Sequence, residues 1–411
     1  MGIAAMTADV TIPAHVPPEL VLPFSPWSDM GDRPHEALEK ARAHGGIVYS
    51  PQHHIIGFAP NGAWMVTRAQ EARQILMDTI SFSSANTTGI AQALGEAFQL
   101  APIEVDPPLH GQSRRFLNPL FLPRAMREME GKIRERTHAL VDALAPAGQC
   151  DFMHDFAKIL PSEMFLDLMG LPHARLQEFM HWEEQIMDSS TFEGRVAGLR
   201  AVADYLRGEI RDRRAHPRDD AMTKVATAVY GDAPASESEA LGMAMLLYIA
   251  GLDTVVNSLG WHFRHLAENP EDQQYLRENP DAIPGAIEEM FRGYSIVSLT
   301  RIVARDTELG GVRFKAGDIV SIPTPLLSRD EREFPGGGTI NFKAGNQRHM
   351  AFGFGPHTCI GMHLAKLVIV SAIHAWLQKI PPFRIEPGAT IECAGGAVMT
   401  IKGLPLTWRR P

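Results

Sequence analysis

Met350-Ala351-Phe352-Gly353-Phe354-Gly355-Pro356-His357-Thr358-Cys359-Ile360-Gly361 sets one cysteine at the end of a glycine-rich turn. From Gly361 to Ile380 there is no proline, and Leu364, Leu367, Val368 and Ser371 recur at three- and four-residue steps, the spacing of one helical face. A sulfur there stands at a helix N-terminus, where unpaired backbone N–H groups and the helix dipole favour a thiolate. That suits a soft metal ligand. Gly353, Gly355 and Gly361 leave no side chains to obstruct a flat group lying against the backbone. The competing reading is an inert buried cysteine, since free Cys is among the most buried residue types.

The rest of the chain decides between them. Its 411 residues allow two average domains or one large one, and no linker or internal repeat divides them. We therefore expect a single domain over 1–411, mainly α with small β-sheets (α+β), preceded by an irregular proline-rich arm over 1–35. A net charge of −9 offers no general basic excess for nucleic acid. Three widely separated cysteines, Cys150, Cys359 and Cys393, do not suggest a disulfide framework and point to a reducing, cytoplasmic setting. The N-terminus lacks a signal-peptide pattern and no run of eighteen apolar residues occurs, so no membrane segment is expected.

Upstream of the cysteine, Ser236 and Glu239 form a capping box that opens a long apolar helix running to about Ala267. In its middle stands Ala250-Gly251-Leu252-Asp253-Thr254, an acid and an alcohol on an otherwise apolar face. Such groups need partners or a purpose, and Thr254 can simply bond back to the preceding turn. Earlier, Asp106-Pro107-Pro108-Leu109-His110 reads as a helix start with Asp106 as cap. It sets His110 and Arg114 one turn apart, a donor pair suited to a carboxylate or to a solvated surface. Glu289 and Arg292 have the spacing of an intrahelical ion pair.

Elsewhere, a helix is expected from Pro34 to His44 and a hairpin from Gly46 to Thr67 with a turn at Pro60-Asn61-Gly62. A helical run extends from Pro123 to Arg214, in which Trp182 to Arg195 can flank a pocket. The cluster Arg211-Asp212-Arg213-Arg214 with Arg218 reads as a solvated turn. Short strands should form a small sheet between Ser295 and Ile322, and Thr390 to Leu406 reads as a hairpin tipped by Ala397 and Val398.

Phe352-Gly353-x-Gly355-x-His357-x-Cys359-x-Gly361, with the other motifs in order, resembles the cytochromes P450 of soluble bacterial type, closest to the camphor-hydroxylating subfamily. The resemblance runs from about Trp64 to Trp408. It implies haem b held by the Cys359 thiolate, with Phe352, Gly353, Gly251 and His357 beside the cofactor. It further implies His110, Arg114 and Arg301 as propionate donors, and Glu289 with Arg292 as a buried lock behind the cysteine loop. Asn341 stands where many members carry an arginine, and Leu299-Thr300 replaces an acidic position near Arg301. By the same resemblance, Thr254 and Asp253 manage protons for dioxygen. Phe98, Leu246, Leu247, Ile296, Val297, Ala397 and Val398 line an apolar pocket for a small terpenoid- or norisoprenoid-like substrate.

No flavin or nicotinamide fingerprint accompanies the haem motif, so electrons must come from outside. The resemblance implies a 2Fe-2S ferredoxin served by an NADH-dependent ferredoxin reductase. Arg68, Arg114, Arg348 and Lys366 would form the docking patch, thinned where Gly111 and Asn346 replace the basic residues of the subfamily. A peroxide-using haem enzyme would lack the Asp253-Thr254 pair, and a haem sensor would need no oxygen-activating helix.

Overall fold

The computed structural model describes residues 11–24, 31–53, 62–189, 191–230, 233–344 and 348–410. Much of the turn expected at Pro60-Asn61-Gly62, the first residues of the arm, and Asn346 lie outside them.

Everything is built about the helix Glu237–Glu268. Its capping box is complete: Ser236 Oγ accepts the Glu239 amide while the Glu239 carboxylate accepts the Ser236 amide. At 1.5 Å per residue it is about 48 Å long, enough to cross a domain. Its N-terminal half, Ala240 to Tyr248, is buried with the helices Ile159–Met169, Phe192–Ala215 and Ala221–Ala226. Its C-terminal half, Val255 to Ala267, joins a second core with the helices Ile283–Gly293 and Met362–Lys379. By length and composition alone this helix could cross a membrane, but most of it is buried within the protein, as in a core helix. Its apolarity comes from sitting between two cores.

The expected sheet forms with five strands in the order Ile47–Ser50, Ala63–Val66, Ile319–Pro323, Ser298–Val303 and Phe82–Ser83. The first pair is antiparallel, Val48 facing Met65, and Ala63–Val66 runs parallel to Ile319–Pro323. Ile47–Ser50 and Ala63–Val66 are buried along their whole length because both faces are covered there. The helix at Pro34 ends at Arg42, slightly earlier than expected.

Two expectations need correction. The hairpin tipped by Ala397 and Val398 forms, Cys393–Ala394 pairing with Thr400–Ile401, but it is shorter than Thr390 to Leu406: Pro405–Trp408 leaves to lie between Phe383–Ile385 and Gln149–Asp151. Leu404, Leu406 and Trp408 are buried there, and that burial outweighs extension of the local ladder. The arginine cluster is not a solvated turn. Arg213 is fully buried; it donates to Glu209, Asp212, Asp220 and the Gly170 carbonyl, tying three helices together. Arg214 donates to the Ala226 and Ala235 carbonyls.

Candidate active site

Gly353 and Gly355 both have φ near +73°, a left-handed conformation that side-chain-bearing residues adopt at a cost. A Cβ on Gly355 would also meet Leu76 O at 3.0 Å, so the glycine allows close approach of the preceding helix Ala69–Met77. The loop closes through the Cys359 amide, which donates to Phe352 O at 2.9 Å, and through Gly353 N to Met350 O at 2.9 Å. The helix Met362–Lys379 starts immediately afterwards, as its spacing predicts.

Cys359 is exposed although its loop lies within the protein. The amides of Gly361 and Met362 and the Arg114 guanidinium favour its thiolate, but the protein packed around this accessible recess desolvates the sulfur more strongly and pushes the thiol pKa up. The thiolate preference expected from the helix terminus is present as a local contribution and loses to desolvation. The other cysteines have no such surroundings. Cys393 is in a strand, with its sulfur 3.3 Å from Arg264 Nη1, and Cys150 is in the sheet Gln149–Asp151 with its pKa pushed to about 12 by burial and neighbouring acids.

Ile360 and Leu364 pack against the core that contains Leu246 and Leu247, so the cysteine helix starts beside the middle of the central helix. There Ala250 is exposed and Gly251 and Thr254 are half-buried, within a helix that is otherwise largely buried. A Cβ on Gly251 would meet only Phe165, at 3.7 Å. Thr254 Oγ1 donates to Ala250 O at 2.8 Å, the back-bond that its position allows. Asp253 is buried; its carboxylate accepts Asn257 Nδ2 at 2.7 Å, while Asn257 Oδ1 accepts the Ile401 amide at 3.1 Å. Asn257 went unnoticed in the sequence, although a second polar residue one turn beyond Asp253 was visible there. Glu183, equally buried, lines a small cavity with Asp253, Tyr248 and Ile186.

His110, Arg114, Arg301 and His357 gather around the loop. The helix Leu109–Phe121 carries the first two, but Asp106 does not cap it. Its carboxylate instead accepts from Ser83 Oγ and, at 2.9 Å, from Ser84 N, holding the preceding turn. Ser84 Oγ in turn lies 3.2 Å from His357 Nε2, and the His357 and His110 rings are 4.0 Å apart. Arg114 Nη1 donates to Thr358 O at 2.6 Å, and Arg301 Nη1 to Thr300 O at 2.8 Å. Two buried nitrogens of this group are left over: His110 Nε2 and Arg301 Nε have no hydrogen-bond partner among the described residues. Burial and the charges of Arg301, His110 and Arg114 push His357 down to about 3, and burial lowers Arg301 to about 10. Donors so crowded call for an anion.

Glu289 and Arg292 form the lock, both nearly inaccessible, with Nε and Nη2 of the arginine 2.8 and 2.7 Å from the carboxylate. At Asn341 the backbone amide, not a side chain, joins them, donating to Glu289 at 3.0 Å.

Among the pocket residues, Val297 bridges Val398, and Ser298 N donates to Ala397 O at 2.9 Å, so the chain around Ile296 meets the turn at Ala397 and Val398. Ile296 is buried in the same core as the C-terminal half of the central helix, whereas Phe98, Leu246 and Leu247 are buried in the other core. The docking patch is thinner than expected. Arg68 is paired with Asp330, Lys366 with Glu288, and Arg114 donates to Thr358 O, leaving the exposed Arg348 without a carboxylate partner among the described residues.

The description "Cytochrome P450" belongs to the family whose sequence model matches residues 185–391, half the chain, including Asp253-Thr254, Glu289-Arg292 and the cysteine loop. The chain is 38% identical over 405 residues, 97% of each protein, to probable cytochrome P450 127A1 of Sinorhizobium fredii. The solved structure of cytochrome P450 CYP101C1 matches with a TM-score of 0.87 at 31% identity, covering 97% of this chain and all of that one. That of CYP101J2 matches with a TM-score of 0.86 at 30% identity and the same coverage. The chain therefore belongs to the cytochrome P450 family of oxygen-incorporating oxidoreductases, whose cofactor is haem b bound through a cysteine thiolate.

Proposed function

We propose that Cys359 is the thiolate ligand and that the chain hydroxylates a small hydrophobic, terpenoid- or norisoprenoid-like molecule. Dioxygen is the co-substrate, and electrons pass from NADH through a ferredoxin reductase and a 2Fe-2S ferredoxin in the cytoplasm. The observation that carries the assignment is the pair of orphaned buried nitrogens, His110 Nε2 and Arg301 Nε, beside the Arg114 and His357 side chains and the exposed Cys359 sulfur. A porphyrin's two propionates match those donors in charge and chemistry, so the residues fit the group. His110, Arg114, Arg301 and His357 would hold its edge, and Gly353 and Phe352 would pack below it.

When bound, haem with an electron-rich thiolate ligand supplies activation of dioxygen for insertion into a C–H bond. The protein's own part is positioning and proton supply. Thr254 Oγ1, in the half-buried turn after Gly251, offers a hydroxyl that can exchange its back-bond for a water. Asp253 is held for proton transfer by Asn257. The apolar character of Leu246, Leu247, Ile296, Val297 and Val398 supports selection by shape rather than polar anchoring, and Phe98 has no donor for a substrate carbonyl. With Arg348 the one exposed member of the expected patch that has no carboxylate partner among the described residues, reduction by an acidic ferredoxin is weak and salt-sensitive.

The reduced carbon monoxide spectrum tests the ligand. Wild type and Cys393→Ser should show the thiolate-type long-wavelength Soret band, and Cys359→His should lose it. Loss in Cys393→Ser with retention in Cys359→His would overturn the assignment. Substrate-stimulated NADH use with a surrogate reductase and ferredoxin tests turnover. Haem binding with no turnover on any apolar substrate would favour a sensor.

A further inference from the structure

Lys366, in the second turn of the cysteine helix, is not available to a docking partner. Its Nζ lies 2.7 and 2.9 Å from the two carboxylate oxygens of Glu288. Glu288 also faces His349 Nε2 at 3.3 Å, while His349 Nδ1 accepts the Ala351 amide at 3.3 Å. That acceptor role puts the imidazole proton on Nε2, so the ring donates to Glu288. The two cationic or ring partners of Glu288 meet at Phe352: Lys366 Nζ is 5.3 Å from its ring centre and the His349 ring 6.0 Å. Phe291 packs on the same ring at 4.7 Å. Phe352 O then accepts the Cys359 amide. A connected path thus runs from a part-exposed ammonium to the backbone that holds the sulfur.

We infer that Lys366, Glu288 and His349 form a charge-compensated relay that sets the reduction potential of the haem held by Cys359; this rests on Cys359 being the ligand. The ammonium and carboxylate touch, so their fields largely cancel at a distance, and removal of either leaves one charge beside the cysteine loop. An uncompensated Glu288 anion opposes addition of an electron. An uncompensated Lys366 cation favours it. Glu288 and Lys366 are thus positioning residues, acting through the loop rather than on substrate.

The test is the ferric/ferrous midpoint of haem-loaded protein across a charge series at one part-exposed position. Lys366→Arg should keep the wild-type value. Lys366→Met should disfavour reduction threefold or more, and Lys366→Glu should disfavour it further, tenfold corresponding to about 59 mV for one electron. Glu288→Gln should shift the midpoint the opposite way, and Lys366→Met/Glu288→Gln should return it towards wild type. A purely structural role would move every variant the same way or not at all. Either result, including a flat series at position 366 where Glu288→Gln fails to keep haem, overturns the relay. The carbon monoxide spectra separate the two ideas: a thiolate-type band with a flat series sinks the relay alone, whereas no such band in wild type sinks the ligand assignment.

Discussion

Replacing Arg292 by Met should destabilise the protein from behind the cysteine loop. Arg292 donates to Glu289 twice, to Ser328 O at 3.0 Å, to Gly337 O at 2.8 Å and to Thr339 O at 2.6 Å. Ser328 Oγ in turn accepts the Met350 amide at 3.2 Å, the first residue of the loop. Methionine fills much of the volume and donates nothing. It leaves a buried Glu289 carboxylate with the Asn341 amide and three carbonyls without their donor. An orphaned buried charge costs about 3–5 kcal/mol, and a lost net hydrogen bond about 1 kcal/mol. Because such costs overlap, about 4–6 kcal/mol is expected, a large share of the roughly 5–15 kcal/mol that typical native proteins have. Urea midpoints of haem-loaded protein, followed by tryptophan fluorescence and Soret absorbance together, measure it. The Glu289→Met/Arg292→Met double variant should be more stable than Arg292→Met alone, because no charge is stranded. A single variant within about 1 kcal/mol of wild type, or a double variant showing the summed cost of both singles, would refute this account of the lock.

Further expectations concern packing, protonation and coupling. A Cβ on Gly242 would sit 2.0 Å from Gln99 O, so Gly242→Ala must push the chain after Phe98 off the central helix, at about 1–3 kcal/mol, read as a lowered urea midpoint. His35 and His262 are buried, and burial lowers each from 6.5 to about 3. The unfolded chain therefore binds protons that the native one refuses, and stability falls as pH drops below 6.5 towards 3, by about 1.4 kcal/mol per histidine per pH unit at most. Urea midpoints between pH 7 and 5 should show that slope, and His262→Phe should reduce it; an unchanged slope would count against the burial argument. Asn257→Leu removes the amide that holds Asp253, so product formed per NADH consumed should fall severalfold with haem content kept. Unchanged coupling would show that Asp253 needs no such positioning.

The motifs were legible because each depends on local rules. A capping box, left-handed glycines and a cysteine at a helix start are set by residues a few positions apart, and Ser236, Gly353, Gly355 and Cys359 stand in the conformations their spacing implies. The register of Glu289 with Arg292 was readable for the same reason. Local rules also misled. Asp106 has the composition of a cap, but Ser83 and Ser84 approach it from a distant turn and take both carboxylate oxygens. Arg213 reads as surface charge until Asp220 and the Gly170 carbonyl, from beyond its own helix, join Glu209 and Asp212 around it.

Partnership across the fold was beyond the reach of the chain's linear order. That Lys366 spends its charge on Glu288, that Asn257 joins Asp253 to the strand at Ile401, and that His110 and Arg301 each keep one buried nitrogen without a partner follow from helices and strands meeting at fixed distances. The amino-acid order alone determined which side chains carry chemistry and which helix or turn holds them, because backbone preference acts over a few residues. Only the tertiary structure decided which of those charges are compensated and which still await a ligand, because desolvation and pairing depend on neighbours hundreds of positions away.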